Sequence, residues 1–441
     1  MTRRRSPAPA GWTSTRYLLL VSSNFPPNVL SAGFRDEVDQ RKQIELFASF
    51  CCMVGDGGAG RGGSHSDATA DRDPRKVVGS TVASSSRKNV KEASQIMTSS
   101  EDFAQRNGKR PKTRVVRWIR RVALGLLVLL ITLAVTGLTY QAVATRNDRQ
   151  EFPPPGQLVA VDGYQLHINC TGEGSPTVIL DAAGGNASPS WGLVQPEIAQ
   201  SNRVCAYDRA GMGWSERGPG PRDMNQHVAE LRALLAGAGI EAPYVLVGHS
   251  YGGRIARVYA KDYPAEVVGM VLIDPGTLDD DPRFPPERRA ELASEKRTIT
   301  LARWLAPFGV VRLLLPQADY DDLPTQQGAA LDTFGVTTKY FQVILDQYRA
   351  MPQTYQQERE VTSLGSIPLI VVSATTPDDE TRRVWTEING ELAGLSTNSI
   401  HRVMQGATHS GLLWNNEHAQ VTVDVITQVI VAARTGQPLA R

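Results

Sequence analysis

The sequence predicts an α/β domain, built on a mostly parallel sheet with helices on both faces, that follows a single transmembrane helix. Short apolar runs alternate with helix-like patterns between residues 157 and 434, which is typical of successive strand–helix units. Before them, the run Val122 to Tyr140 has no charge in its nineteen positions and is long enough to cross a bilayer as a helix. The net charge of +2 gives no indication of nucleic-acid binding.

Residues 1–108 are predicted to be disordered, because small polar residues dominate and no periodicity is sustained. Gly55 to Gly60 matches Gly-x-Gly-x-x-Gly, but no strand runs cleanly into it and no helix follows. We therefore interpret it as a chance match and not as a dinucleotide site. Cys51 and Cys52 have no second Cys or His pair at metal-ligand spacing, so no metal site is expected.

The N-terminal region also raises the question of where translation begins. Met97 is followed by a polar stretch, then by a basic cluster and the apolar run. We hypothesise that translation starts near Met97. Detection of a native tryptic peptide from residues 1–96 would contradict this hypothesis.

Residues 109–145, a basic cluster and the apolar helix, are predicted to anchor the chain in a membrane through residues 122–144. The basic residues before the run are Lys109, Arg110, Lys112, Arg114, Arg117, Arg120 and Arg121. The positive-inside rule then places the N-terminus in the cytoplasm and everything after residue 145 outside. In the alternative, Ala142-Val143-Ala144 is a signal-peptide cleavage site and the domain is secreted. The run is longer than the usual signal core, which favours the anchor.

Residues 146–156 form a predicted linker that contains three consecutive prolines, Pro153 to Pro155, a stiff spacer. The domain then opens with a hairpin, because Asp162-Gly163 separates two strand-like segments, 157–161 and 164–171. Further strand-like segments are 177–180, 203–207, 244–247, 267–273, 368–373 and 400–404. Helix-like segments are 224–238, 254–263 and 420–434.

Between residues 274 and 366 the alternation of strand and helix stops, and two helix-like segments, 291–308 and 329–351, stand in its place. An insertion of helices after the sixth strand predicts a cap over the functional site, at about residues 278–362.

Gly248-His249-Ser250-Tyr251-Gly252 connects an apolar strand directly to a helix-like segment. This is the setting of a nucleophile elbow, in which a strained turn exposes the serine hydroxyl at the top of a sheet. Gly248 and Gly252 supply the lack of bulk that the tight turn requires. The motif predicts that Ser250 is a nucleophile.

From about residue 157 to residue 434 the chain resembles the α/β-hydrolase fold superfamily. The matching residues are the elbow, the loop Asp208-Arg209-Ala210-Gly211-Met212-Gly213-Trp214-Ser215, and Gly406-Ala407-Thr408-His409. The resemblance implies an eight-stranded sheet in the order 1-2-4-3-5-6-7-8, with the second strand antiparallel. It also implies a nucleophile, an acid and a histidine in that chain order.

The base is expected to be a histidine beyond the elbow, where His401, His409 and His418 lie. His409 follows the last predicted strand directly, in a loop from which a side chain can reach across the strand tips, so we expect it to be the base. His249 precedes the nucleophile and is expected to be structural.

The acid is less well defined by the sequence. In this fold it usually follows the seventh strand, which favours Asp378, with Asp379 as its neighbour. Some members of the fold place the acid after the sixth strand, where Asp274, or less favourably Asp279, would serve. Each aspartate also has an ordinary interpretation as a helix cap or turn residue.

The oxyanion hole is expected to use two backbone N–H groups. One belongs to Tyr251 at the start of the elbow helix. The other comes from the loop after the third strand, where the match to the superfamily points to Ala183, with Gly184 as the alternative.

Cys170 and Cys205 lie in the second and fourth predicted strands, which the implied strand order makes neighbours. Outside the cytoplasm the environment can be oxidising. We therefore predict a Cys170–Cys205 disulfide, with two buried thiols as the alternative.

Together these features predict a membrane-anchored extracytoplasmic serine hydrolase that cleaves a small-molecule carboxylic ester without a metal or organic cofactor. Amidase, peptidase, thioesterase and perhydrolase activities of the same fold remain open. So does a tethered binding or scaffold protein that has lost turnover. The sequence does not predict the substrate or the oligomeric state.

Overall fold

The computed structural model describes residues 112–440, apart from 277, 279, 280, 316, 317, 319 and 378. The predictions for residues 1–111, which include disorder, the glycine-rich match and a start near Met97, lie outside the described residues. So do two of the four aspartates considered as the acid, Asp279 and Asp378.

The predicted sheet is confirmed. Its strands are β1 Gln157–Val161, β2 Tyr164–Thr171, β3 Thr177–Asp181, β4 Val204–Tyr207, β5 Tyr244–His249, β6 Val267–Ile273, β7 Leu369–Thr376 and β8 Ser399–Thr408. The spatial order is β1-β2-β4-β3-β5-β6-β7-β8. β2 is antiparallel to both of its neighbours, and the remaining pairs are parallel.

The two faces of the sheet are covered by different helices. The helices are α1 Lys112–Glu151, α2 Gln195–Ile198, α3 Met224–Gly237, α4 Tyr251–Asp262, α5 Pro286–Leu305, α6 Val310–Leu314, α7 Thr325–Gly335, α8 Thr338–Arg359, α9 Glu380–Ala393, α10 Gly411–Trp414 and α11 Asn416–Thr435. Along β5, Leu246 packs in the cluster that contains α3 and α4, whereas Val245 and Val247 pack in the cluster that contains α11. This alternation explains why the central strands are continuous apolar runs.

The cap consists of α5 to α8, inserted between β6 and β7. The sequence predicted one helix over 329–351, but two are present. The break follows Gly335, and the Thr337 side chain caps the second helix by accepting a hydrogen bond from the Tyr340 N–H at 3.2 Å. An N-cap threonine of this kind favours a new helix start over continuation of the previous helix.

Helix α1 is 40 residues long, and its apolar portion is long and apolar enough to cross a membrane, with none of that portion buried. Its C-terminal end packs on the cap instead. Gln141 is 7 % exposed, and Asp148 forms an ion pair with Arg312 at 2.7 Å. This helix is compatible with a single-pass membrane anchor.

Candidate active site

Ser250 occupies a strained turn between β5 and α4. Its φ of 52° and ψ of −114° lie in a region that non-glycine residues rarely adopt and that is found at functional sites. The surrounding chain holds this conformation: the Ser250 N–H donates to the Ile273 carbonyl at 3.0 Å, and its carbonyl accepts from the Gly276 N–H at 2.8 Å. The sequence thus places Ser250 in a conformation that β6 and the segment after it stabilise.

The two glycines of the motif are required by close backbone approach. A Cβ on Gly248 would lie 2.4 Å from backbone atoms of Gly252 and Gly253, and a Cβ on Gly252 would lie 2.3 Å from the Asp181 carbonyl oxygen. Real Cβ atoms do not approach backbone atoms so closely, so a larger residue at either position would displace the turn. The end of β3 is thereby fixed against the start of α4.

His409 follows β8 directly and lines the same cavity as Ser250. Its Nδ1 lies 2.6 Å from Oδ2 of Asp274, a hydrogen-bond distance. With Nδ1 carrying the proton, Nε2 is left as the acceptor that a general base requires. Asp274 thus orients the imidazole through Nδ1, and Nε2 is left to accept a proton.

Asp274 immediately follows β6 and is fully buried, with a φ of 40°. Three further donors hold its carboxylate: the Arg382 guanidinium at 2.6 Å, the Asn389 amide at 3.1 Å and the Ala374 N–H at 3.3 Å. Burial opposes ionisation, but the Arg382 charge and the hydrogen bond from His409 outweigh it and lower the pKa of Asp274 to about 2. The carboxylate is therefore charged at neutral pH.

Among the described aspartates that the sequence analysis considered as the acid, Asp274, an alternative there, is the one beside the histidine. Asp378 lies outside the described residues. Asp379 serves as the N-cap of α9, where its carboxylate accepts a hydrogen bond from the Arg382 N–H at 2.8 Å. Sequence reasoning also missed Arg382 and Asn389 as partners of Asp274, since nothing in the pattern of α9 distinguishes these residues from ordinary helix positions.

His249 supports the His409 loop from below, as expected of a structural residue. Its Nε2 lies 3.0 Å from the His409 carbonyl oxygen, and the two rings are 4.6 Å apart. Burial, together with the neighbouring His409 ring, lowers the pKa of His249 to about 3. A neutral His249 can donate to the carbonyl without placing a second charge beside His409.

The loop after β3, which contains Ala183, is held by Arg209. The Arg209 guanidinium, 4 % exposed, donates to the carbonyl oxygens of Ala182 at 2.6 Å and Ala183 at 2.5 Å. It also forms an ion pair with the buried Asp181. Because these bonds use carbonyl oxygens, they fix the loop without occupying its N–H groups. Tyr251 begins α4, where N–H groups lack helical partners and attract negative charge.

The 208–215 loop depends on a second buried carboxylate. Asp208 accepts hydrogen bonds from the N–H groups of Ser188 at 2.7 Å and Trp214 at 3.0 Å, and it lies 2.9 Å from Nδ1 of His167. Lys339 of the cap donates to the Gly213 carbonyl at 2.8 Å. This part of the superfamily motif has a structural role, since it connects the end of β4 to the cap.

A cavity of about 570 Å³ connects the candidate site with the cap. Ser250, His409 and Ala183 line it. Its lining also includes six aromatic side chains, Tyr251, Tyr320, Tyr340, Tyr348, Trp385 and Trp414, and the charged side chains Arg254, Arg288 and Glu295. Trp385 is fixed by a 2.9 Å hydrogen bond from its indole N–H to the Pro275 carbonyl. A cavity of this size and lining suits a small molecule that has both apolar and polar parts.

Cys170 and Cys205 are directly opposite each other in the β2–β4 pair, and their sulfur atoms are 2.10 Å apart, in a disulfide bond.

Within the part of the chain that the structure describes, no group of three or more His, Cys, Asp or Glu residues could hold a metal ion. The buried carboxylates of Asp181 and Asp274 are each paired with an arginine, and Asp274 also accepts a hydrogen bond from a backbone N–H group.

Comparisons with known proteins agree with this architecture. The solved structure of a candidate lipase, lip1, from Acinetobacter baumannii AYE superposes with a TM-score of 0.52 at 19 % identity, over 67 % of this chain and 97 % of that chain. At that identity the likeness shows the fold alone.

Two curated proteins match over shorter segments. The uncharacterized protein YqjL of Bacillus subtilis (strain 168) is 34 % identical over 27 % of this chain and 47 % of its own length. The 2-hydroxymuconate semialdehyde hydrolase of Pseudomonas sp. (strain CF600) is 33 % identical over 29 % of this chain and 46 % of its own. In both, the match spans about half of the relative.

The family comparison covers the domain itself. A profile described as the alpha/beta hydrolase family matches residues 178–425, more than half of the chain. That segment contains the elbow, Asp274 and His409 on the sheet described above. This chain therefore belongs to the alpha/beta hydrolase family.

Proposed function

We propose that the protein is a membrane-anchored, extracytoplasmic serine hydrolase that cleaves a carboxylic ester through Ser250, His409 and Asp274. The observation that carries the proposal is the 2.6 Å contact between His409 and the fully buried, ionised Asp274 beside a serine in a nucleophile-elbow conformation. The family membership supports a hydrolase, and the arrangement of these three residues supports the finer assignment.

In this mechanism His409 Nε2 takes the proton of the Ser250 hydroxyl as Oγ bonds to the ester carbonyl carbon. The tetrahedral intermediate collapses, the bond to the alcohol oxygen breaks, and His409 returns the proton to that alcohol. Water then attacks the acyl-enzyme by the same route and releases the acid. Asp274 remains ionised throughout and stabilises the imidazolium that forms at each step.

The negative charge on the carbonyl oxygen is assigned to the N–H groups of Tyr251 and Ala183. The Tyr251 N–H opens α4, where the helix end favours an anion. The Ala183 loop is preorganised by Arg209, which holds its carbonyl oxygens at 2.5 to 2.6 Å. Fixed donors of this kind stabilise developing charge without reorganisation during the reaction.

The membrane anchor is supported by the way α1 meets the cap. Gly137 and Gln141 precede the alternative cleavage point after Ala144, yet both contact the cap. Gln141 donates to the Val336 carbonyl at 3.3 Å, and Gly137 lies so close to Phe308 that a Cβ would be 2.5 Å from its carbonyl oxygen. Cleavage after Ala144 would remove these contacts, which favours an intact helix in the mature protein.

A fluorophosphonate probe tests the enzymatic proposal, because it reacts with serines activated by a neighbouring base. We expect the full-length chain in detergent to be labelled and Ser250→Ala to be unlabelled. Ser410→Ala is the matched control, since Ser410 lines the same cavity, and it should be labelled like the parent. Absence of labelling in folded parent protein would favour a binding or scaffold protein instead.

A further inference from the structure

Three large apolar side chains are exposed on the cap next to α1. Trp304, at the end of α5, is 65 % exposed, and Leu313 and Leu314, in α6, are 68 % and 47 % exposed. Between them along the chain lies Phe308, whose carbonyl contacts Gly137 of α1. The exposed set, which we call the cap rim, therefore flanks in sequence the residue at which the cap meets the helix.

The level of the cap rim relative to a bilayer follows from the length of the apolar run. A span of roughly 20 residues, about 30 Å, that begins at Val122 ends near Gln141. A Cβ on Gly309 of the cap would lie 2.5 Å from the Tyr140 ring, and Arg312 pairs with Asp148. The cap thus contacts α1 from the last turn of the span to about two turns beyond it, which is the depth of the headgroup layer.

The orientation of the cap on α1 is also defined. Partly or fully covered residues of α1 include Ala134, Gly137, Gln141, Thr145 and Asp148. Their spacing of three or four residues is that of one helix face, and this face turns toward the cap. The cap is therefore fixed on the helix, so insertion of α1 sets the depth of the cap rim as well.

Resting on the membrane anchoring proposed above, we infer that Trp304, Leu313 and Leu314 insert into the lipid interface of the extracytoplasmic leaflet. The lipid surface is the occupant indicated because the segment that carries these side chains meets α1 at Phe308, Gly309 and Arg312, at the end of its exposed apolar run. Tryptophan is favoured at this depth, and leucine gains free energy on leaving water there. On a surface facing water the same three side chains would form an unfavourable apolar patch.

The inference extends to the substrate, because α5 connects the lipid surface with the cavity. Leu292 and Ile299 of α5 line the cavity, and Trp304 lies at the C-terminal end of the same helix. Ile299 and Trp304 are five residues apart, roughly 8 Å along the helix axis. The cap rim therefore lies close to the cavity, and we expect the substrate class to be a lipid-soluble ester that enters the cavity from the edge of the leaflet.

The position of the cap rim can be measured with the full-length chain in lipid nanodiscs. An environment-sensitive fluorophore is attached at Leu313→Cys, Leu130→Cys or Val431→Cys, each in a Cys51→Ser/Cys52→Ser background that keeps the disulfide. Nitroxide-labelled lipids then quench fluorophores at membrane depth. Leu130 reports on the span, and Val431, in α11 and 50 % exposed, is the matched surface control.

We expect strong quenching at positions 130 and 313 and weak quenching at 431. Strong quenching at 130 with quenching at 313 as weak as at 431 would overturn the inference and leave the anchor intact. Weak quenching at both 130 and 313 would overturn the anchor and the inference together.

The substrate class is tested by kinetics on the same nanodiscs. We expect the triple change Trp304→Ala, Leu313→Ser and Leu314→Ser to lower kcat/KM for a bilayer-dissolved long-chain ester about tenfold, because apolar insertion is lost. Hydrolysis of a short water-soluble ester, and both activities of Val431→Ser, should stay within about twofold. Equal effects on the two esters would overturn the delivery route. Parent protein that hydrolyses neither ester would contradict the proposed function, while the quenching result would stand.

Discussion

The strand tips and the contact between the cap and α1 are stabilised by different kinds of ion pair. At the tips of β3 and β6, the carboxylates of Asp181 and Asp274 are buried and matched by arginines that are themselves nearly buried. The contact between the cap and α1 instead uses the part-exposed pair Arg312–Asp148 and leaves apolar side chains uncovered. Buried charge pairs cannot lose a partner without a large penalty, whereas part-exposed pairs contribute little. The contact between the cap and α1 should therefore contribute less free energy than the buried pairs at the strand tips.

The largest effect that this comparison predicts is the loss of kcat when Asp274 is substituted. Asp274→Asn should lower the Tm, because the buried Arg382 loses its charged partner, and should lower the kcat of the folded protein by roughly a thousandfold or more, because the amide no longer holds the productive His409 tautomer. Hydrolysis of a chromogenic ester measures the loss. Asp378→Asn is the matched control and should change kcat by less than about twofold. The reverse result would assign the acid to the loop after β7.

The next effect concerns the backbone contact below the elbow. Gly252→Ala places a Cβ 2.3 Å from the Asp181 carbonyl oxygen, so the turn must shift at a cost of about 3 kcal/mol. Thermal unfolding in detergent should show a Tm at least roughly 6 °C lower. Gly335→Ala in α7 has no atom within 4 Å of its added Cβ, and its Tm should remain close to that of the parent. Equal shifts would contradict the steric argument.

The contact of Lys339 in the cap with the 208–215 loop should make the stability of the protein depend on pH. Burial lowers the pKa of Lys339 to about 8, whereas the unfolded chain has a lysine pKa of about 10.4. Between these values the unfolded state binds more protons, so stability should rise with pH, by about 2 kcal/mol from pH 7.5 to 9.5. Tm measured across this range should rise for the parent relative to Lys339→Met. If the Tm of the parent and that of Lys339→Met change equally with pH, Lys339 is not the cause of the change.

The smallest effect is expected where α1 meets the cap. A double-mutant cycle on Arg312→Ala and Asp148→Ala should give a coupling free energy of about 0.5–1 kcal/mol, because both side chains are partly exposed. Chemical denaturation in detergent measures it. A coupling above about 3 kcal/mol would show that this contact behaves like the buried pairs at the strand tips.

The sequence predicted the sheet well because its signals are local. Each buried strand is a short apolar run, and the elbow combines strand, glycines and helix in ten residues. The aspartate beside His409 was harder to predict because distant partners hold it there. Arg382 and Asn389 are more than 100 residues from Asp274 in the chain, and no local pattern relates them to it.

The sequence by itself determined the family fold, the strained serine turn, the histidine beyond the last strand and the apolar helix, since each is encoded by neighbouring residues. Tertiary structure alone decided that Asp274 is the residue beside His409. It also decided that Arg209 fixes the Ala183 loop and that the cap rests on the end of α1. These features depend on charges and surfaces brought together from separate parts of the chain, and their free energies exist only once the sheet and cap have packed.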